Sequence, residues 1–190
     1  MNSQVRFRII VLISVVLISA VQLRELGYTK GAYLAYRTHF TNPRMIGEYF
    51  NTHSVRKLQL GAGESNPDGW LNSDIEPTKG QIYLDAAAPY PFANGSFQYI
   101  YAEHLIEHLT WEKGVAMLRE CHRVLAPGGK IRIITPNLMK LVELLSRDDA
   151  EAKELMAAQR RLFGWPNTPV MAAYILNKVV REWGHQFIYD

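Results

Sequence analysis

The chain has one cysteine, Cys121, in 190 residues, which excludes an internal disulfide framework and a cysteine-built zinc site. It has no internal repeat and no low-complexity tract, so solenoid and linker architectures do not apply. It also lacks a large excess of one charge: the net value is +3, unevenly spread. Residues 1–57 hold eight basic side chains (Arg6, Arg8, Arg24, Lys30, Arg37, Arg44, Arg56, Lys57) against Glu25 and Glu48, so the remainder is mildly acidic. That remainder has no basic patch interleaved with aromatics, which argues against a nucleic-acid partner. A full-length apolar run is missing too. The uncharged stretch Ile9–Leu23 has fifteen residues, or about 22 Å of helix against a hydrocarbon core of about 30 Å.

Three readings of Ile9–Leu23 compete: a signal peptide with Ala20 at its cleavage site, a short membrane anchor, and a helix lying at the interface. The basic leader favours attachment to a membrane by a short anchor. A true start at Met45 is the plainer alternative. Hydrophobic content of 48% and charged content of 21% are ordinary for a globular chain. The expected organisation is a hydrophobic segment and connector over 1–44, then one α/β domain over 45–190. Tyr28, Tyr33, Tyr36 and Phe40 recur at helical spacing and suit packing better than ligand binding. Asn42-Pro43 punctuates before a short helix over Arg44–Asn51.

The domain is organised around Lys57–Asp74. A buried strand (Lys57–Leu60) runs into a glycine turn (Gly61-Ala62-Gly63), and a second strand (Trp70–Asp74) ends on an acid. A tight glycine turn lets backbone approach a ligand closely. An acid closing the next strand can take the hydroxyls of a ribose. The dinucleotide fingerprint fits poorly: its third glycine would fall at Asn66, and Asp74 is only 13 residues past Gly61. A ligand with an adenosine and no pyrophosphate, such as S-adenosylmethionine, needs the acid and the turn but no phosphate cradle. Further strands are expected at Gln81–Leu84, Phe97–Ala102 and Lys130–Thr135. Thr110 caps a helix reaching about Leu125, with Val115, Leu118, Cys121, His122 and Leu125 on one face. Cys121 there reads as core. Pro127-Gly128-Gly129 ends that helix. Helices follow over Leu138–Ser146, Asp148–Phe163 and Val170–Trp183, placed to act as a substrate lid or simply to pack.

Five stretches in this order carry a family resemblance: LQLGAG (58–63), GWLNSDI (69–75), DAAAPYPFANGSF (85–97), EHLIEHL (103–109) and RVLAPGGKIRIITPN (123–137). With them the chain resembles class I S-adenosylmethionine-dependent methyltransferases, in the type 11-like subgroup, well over about residues 56–137 and again in the closing GHQFIYD (184–190). The resemblance implies a three-layer, Rossmann-like, mostly parallel α/β sheet. It implies that Gly61, Ala62 and Gly63 approach the methionine part of the cofactor, that Asp74 takes the ribose hydroxyls, and that Asp85 with Ala86 faces the adenine. Glu103 and His104 would stand beside the transferring methyl, with His104 a base toward a hydroxyl or carboxyl acceptor. The bland reading of Asp85 is a turn cap, and that of His104 a satisfied polar residue. His185 and Tyr189 are expected to reach the pocket from the lid side, whereas Trp183 and Phe187 read as core. Such a sheet has seven strands; five are counted to Thr135, so the C-terminal strands are expected to be missing and an edge exposed.

The expected activity is methyl transfer to a small-molecule or glycan-type acceptor by a domain in the cytoplasm, where the cofactor is made. One rival is a membrane-tethered, inactive cofactor-binding remnant. The other is a zinc hydrolase. His104-x-x-Glu107-His108 matches the H-x-x-E-H pattern, and on a helix His104 and His108 would share a face, with Glu182 or His185 as a third ligand.

Overall fold

The computed structural model describes residues 30–162, 164–165 and 169–190. The run Ile9–Leu23, with Ala20, and also Tyr28 and Phe163, lie outside them. Among the described residues, no helix is long and apolar enough to cross a membrane. The chain divides into two compact units, Met1–Ser54 and Val55–Asp190.

In the first unit, α1 (Lys30–Tyr36) continues through a π-helical turn, Arg37–Thr41, into α2 (Asn42–Thr52). Pro43 does not interrupt the chain. It sits in the first turn of α2, directly after the π turn. Tyr36 and Phe40 pack against each other across the π turn, tilted by 30° with ring centroids 5.4 Å apart.

The second unit is built on β1 (Lys57–Leu60), β2 (Leu71–Asp74), β3 (Ile82–Tyr83), β4 (Phe97–Glu103) and β5 (Leu125–Ile134). They form one sheet in the order β3-β2-β1-β4-β5, and every pairing is parallel. Strands buried on both faces need apolar residues on both. Leu58, Leu60, Phe97, Ile100 and Ala102 are accordingly all but inaccessible. The order reverses between β1 and β4. At such a switch point the loops leaving neighbouring strands turn to opposite faces and open a crevice at the carboxyl edge.

Between β4 and β5 lies α3 (Trp111–Val124), where the Thr110 side chain accepts from the Lys113 N–H. Its buried face is Gly114, Met117, Cys121 and Val124, not the face through Val115, Leu118 and His122. Leu118 is 41% exposed, and Cys121 lies in the core as expected. Burial pushes the Cys121 thiol up to about 11, so it is no nucleophile at neutral pH. Pro127-Gly128-Gly129 does not precede β5 but is absorbed into it. Phe97 pairs with Leu125 and Tyr99 with Lys130, and the extra residues bulge between them. β5 stands at the edge of the sheet.

After β5 come α4 (Leu138–Glu143), a 3₁₀ turn (Leu144–Ser146), α5 (Ala150–Leu162) and α6 (Ala172–Arg181). They pack on one another through Leu141, Leu144, Ala152, Met156, Trp165, Ile175 and Val179. This cluster is a small core of its own beside the carboxyl edge of the sheet. The final segment returns to that edge. Tyr189 bridges Asn137 in parallel, and the Gln186 N–H donates to the Glu107 carbonyl at 2.7 Å.

Candidate functional site

The glycine turn is held from three sides. Gly61 and Gly63 have φ of 63° and 56°, a backbone that side chains disfavour. A Cβ on Gly61 would also stand 3.0 Å from Leu105 Cδ1, while one on Gly63 would meet nothing. Gly61 is thus required by close packing on the β4 loop, and Gly63 faces open space. The Ala62 N–H donates to the Ser73 carbonyl at 2.9 Å, the Gly63 N–H to Asp74 Oδ2 at 2.9 Å, and Gln81 Nε2 to the Gly63 carbonyl at 2.7 Å. Gln81 is fully buried. Sequence reasoning gave it no role, because a polar residue opening a short strand breaks no period.

Asp74 therefore fastens β2 to the turn, and its Oδ1 also accepts from the Glu76 N–H at 2.8 Å. A carboxylate offers about four acceptor positions, so these two bonds leave capacity for ligand hydroxyls. Asp85 accepts from the Ala87 N–H through Oδ1 at 2.9 Å, which is the turn-capping arrangement. Ala86 is buried, and its carbonyl accepts from the Tyr90 hydroxyl at 3.0 Å. Gly61, Ala62, Gly63, Asp74, Asp85 and Ala86 thus gather just past the carboxyl ends of β1, β2 and β3. The cradle suits S-adenosylmethionine: an open glycine turn beside acceptor-only carboxylates.

The stretch 103–109 is not an α-helix. β4 runs through Glu103, His104 turns sharply, and Ile106–His108 is a single 3₁₀ turn. The i,i+4 helical face assumed for His104 and His108 does not exist. Instead His104 Nδ1 lies 2.9 Å from Glu107 Oε1, and Thr135 Oγ1 donates to Glu107 Oε2 at 3.1 Å. Glu107 is wholly buried while the His104 side chain is 57% exposed. Glu103 is exposed and accepts from the Tyr101 hydroxyl at 2.6 Å. That bond, more than any burial, raises the Tyr101 phenol above its ordinary range.

Beyond the carboxyl ends of β4 and β5 lies a cavity of about 430 Å³, lined among others by His104, His108, Asn137, Lys140, Gln159 and Trp183. None of the cofactor-side residues lines it, so it is a second compartment; His104 lines it, and the neighbouring Leu105 lies against Gly61. Its walls include Leu141 of α4, Gln159 of α5 and Val179 of α6, so the late helices enclose it as well as packing on each other. His185 lines it but Tyr189 does not; the Tyr189 ring lies against Trp111 and Phe187. Trp183 and Phe187 are not core, being 46% and 38% exposed. Trp183 instead forms part of the cavity wall and stacks on Trp165 with centroids 5.2 Å apart. Burial, then the neighbouring His185, lowers the His108 pKa, which favours the neutral ring.

His104 and Trp183 have φ of 49° and 58°, the only positive values outside glycine among the described residues. Both line the one cavity. Left-handed backbone at a bulky residue costs about 1–3 kcal/mol and persists where the surroundings enforce it, commonly at functional sites.

Residues 61–133 match a family model described as "Methyltransferase domain". No curated protein matches the chain closely enough to count as a relative. Similar solved structures include the trans-methyltransferase CalH in complex with SAH (17% identity, TM-score 0.34), which covers 47% of this chain and 34% of that one. The PH0226 protein from Pyrococcus horikoshii OT3 is 19% identical at a TM-score of 0.38, over 62% of this chain and 68% of that one. PKMT2 from Rickettsia typhi in complex with AdoHcy is 14% identical at a TM-score of 0.40, over 77% and 39%. The chain thus spans about a third of the length of CalH. The family match runs from the glycine turn into β5 and bears out the resemblance carried by the motifs, to class I S-adenosylmethionine-dependent methyltransferases of the type 11 kind.

Proposed function

We propose that the unit Val55–Asp190 transfers a methyl group from S-adenosylmethionine to a hydroxyl on a small molecule or glycan, with His104 as the base. One observation carries this reading. A histidine held in left-handed backbone, with one nitrogen on a buried carboxylate, follows the strand next to the one that feeds the glycine turn and lines a cavity of acceptor size. S-adenosylmethionine, when bound, supplies an electrophilic methyl group on a sulfonium. Gly61, Ala62 and Gly63 would receive its amino-acid part, Asp74 its ribose and Asp85 with Ala86 its adenine.

The protein's own contribution is position and one proton. With Nδ1–H donated to Glu107, the His104 Nε2 carries the lone pair and faces the acceptor. It takes the hydroxyl proton as the new C–O bond forms, which is general-base catalysis. Glu107 is a positioning residue: it fixes the tautomer and offsets the charge that develops on the ring, and Thr135 holds it in turn. The cavity supplies apolar wall from Pro136, Leu141 and Val179 and polar contacts from Asn137, Lys140 and Gln159. Gln159 Oε1 is buried with no partner among the described residues, an acceptor that a substrate hydroxyl would satisfy. Trp183 offers a flat face of the kind that packs on a sugar or an aromatic ring. Cofactor supply places this unit in the cytoplasm.

The test is incubation of the full chain with methyl-labelled S-adenosylmethionine and a panel of hydroxyl-bearing small molecules and glycans. Label should pass to at least one acceptor class, and His104→Ala should lower the rate about 100-fold or more. Cofactor binding with no transfer to any acceptor would instead favour the inactive binding module.

A further inference from the structure

We propose that Glu107, His108 and His185 form a site for one divalent transition-metal ion of the zinc type, which clasps the C-terminal segment onto the loop after β4. The site is independent of which acceptor the cavity takes.

The geometry comes first. One ligand atom from each of the three side chains lies within 4.8 Å of the other two, and among the described residues no other such group of three exists. Ligand atoms at about 2.1 Å from a zinc ion stand about 3.4 Å apart in a tetrahedron and about 4.2 Å across an octahedron. Closing the remaining gap takes small rotations of side chains, not backbone movement. Two imidazoles and one carboxylate form a common donor set for zinc, with a fourth position left open.

The second observation is that His185 and Glu107 are already oriented by outer partners. His185 donates through Nδ1 to the Val179 carbonyl, which leaves the Nε2 lone pair for a metal. The His108 ring lies edge to face with the His185 ring, its centroid 4.9 Å away, and so is placed beside the second imidazole. Glu107 is held by His104 and Thr135, and its two oxygens keep further lone pairs. Histidines that ligate metals typically have the second nitrogen engaged in this way. Without an ion the two rings only meet edge to face at 4.9 Å beside a fully buried carboxylate.

The two halves of the site are far apart in sequence and stitched together by main chain. Gln186 donates from its backbone N–H to the Glu107 carbonyl at 2.7 Å and from Nε2 to the His108 carbonyl at 3.0 Å. An ion here would add a third fastening at the same place. His108 and His185 also line the cavity, so the open position faces it. The H-x-x-E-H signature is thereby reassigned: His104 pairs with Glu107 and is no ligand, and Glu107 takes its place beside His108 and His185.

The experiment is titration of the chelator-treated full chain with Zn²⁺ by calorimetry, without methyl donor. One ion per chain is expected, with affinity at least tenfold weaker in His185→Ala and in His108→Ala and unchanged in His122→Ala, which alters an exposed histidine on α3. Co²⁺ bound to the unmutated chain should show the visible absorption of a nitrogen–oxygen site, a readout that needs no variant to fold. No stoichiometric Zn²⁺ uptake and no Co²⁺ spectrum would overturn the site. So would equal Zn²⁺ affinity in a folded His185→Ala variant.

Discussion

At the residue scale, the site is built on an acid that holds a turn and a histidine held by an acid. Asp74 has two duties, since it holds Gly63 and Glu76 by their N–H groups and would also receive the ribose hydroxyls. Asp74→Ala should weaken S-adenosylmethionine binding by about 1–3 kcal/mol, the usual cost of unpaired polar groups. Asp74→Asn, which keeps one acceptor oxygen for the turn, should lose less; calorimetry on both separates the two duties. For the histidine, Glu107→Gln should lower kcat with KM little changed and alter the pH–rate profile, because the tautomer and not the binding is disturbed. A fall in KM-type binding alone would remove Glu107 from the positioning role. Gly114 provides a test of packing. A Cβ there would stand 2.5 Å from the buried Tyr189 hydroxyl oxygen. Overpacking costs about 1–3 kcal/mol, against about 1 kcal/mol gained from removing a helical glycine. Gly114→Ala should therefore be neutral to destabilising alone, and stabilising by up to about 1 kcal/mol in a Tyr189→Phe background. Equal effects in both backgrounds, by chemical denaturation, would contradict the contact.

At the scale of elements, the loop from Asp85 to Ser96 depends on α3. Arg123 donates to the carbonyls of Phe92 at 2.7 Å and Tyr90 at 3.0 Å, and to Asn94 Oδ1 at 3.1 Å. Glu120 grips the same guanidinium at 2.6 Å and takes the Tyr90 N–H. The Arg123 guanidinium thereby holds the Glu120 carboxyl down at about 2. Its folded pKa lies below its unfolded value of about 4.3, so its contribution is present above that value. It is lost as pH falls from there through the folded pKa. Glu120→Gln should flatten the acid limb of stability between about pH 4 and 2, and Arg123→Met should destabilise by about 2–3 kcal/mol. The strands were legible in the residues because each is short, carries apolar residues such as Leu58, Leu71, Ile82 and Ile100, and ends at or just before a glycine, a proline or an acid. Two element-level features were not. Nothing local marks the sharp turn at His104, where tertiary packing overrides the helical look of EHLIEHL. The bulge at Pro127–Gly129 reads as a break because the pairing that absorbs it is with β4, remote in sequence.

At the scale of the whole molecule, the sheet order puts the turn, Asp74, Asp85 and His104 at one edge, although they come from four strands. Periodicity can find each strand but not that gathering; the ordered motifs supplied it. The partition of the late helices was less visible. Leu141, Gln159 and Val179 wall the cavity, yet in sequence they are members of ordinary amphipathic helices. Trp183 looks like core and Tyr189 like a pocket residue until the final segment folds back along Glu107 and Asn137. The central claim is that this edge binds S-adenosylmethionine through Asp74. Its most direct measurement is native mass spectrometry of the full chain with and without added S-adenosylmethionine, in wild type and in Asp74→Ala. A mass increment of one cofactor is expected in the wild type, reduced or absent in the variant. A folded wild-type chain that takes up no cofactor, or a variant that takes it up as well as the wild type, would contradict it.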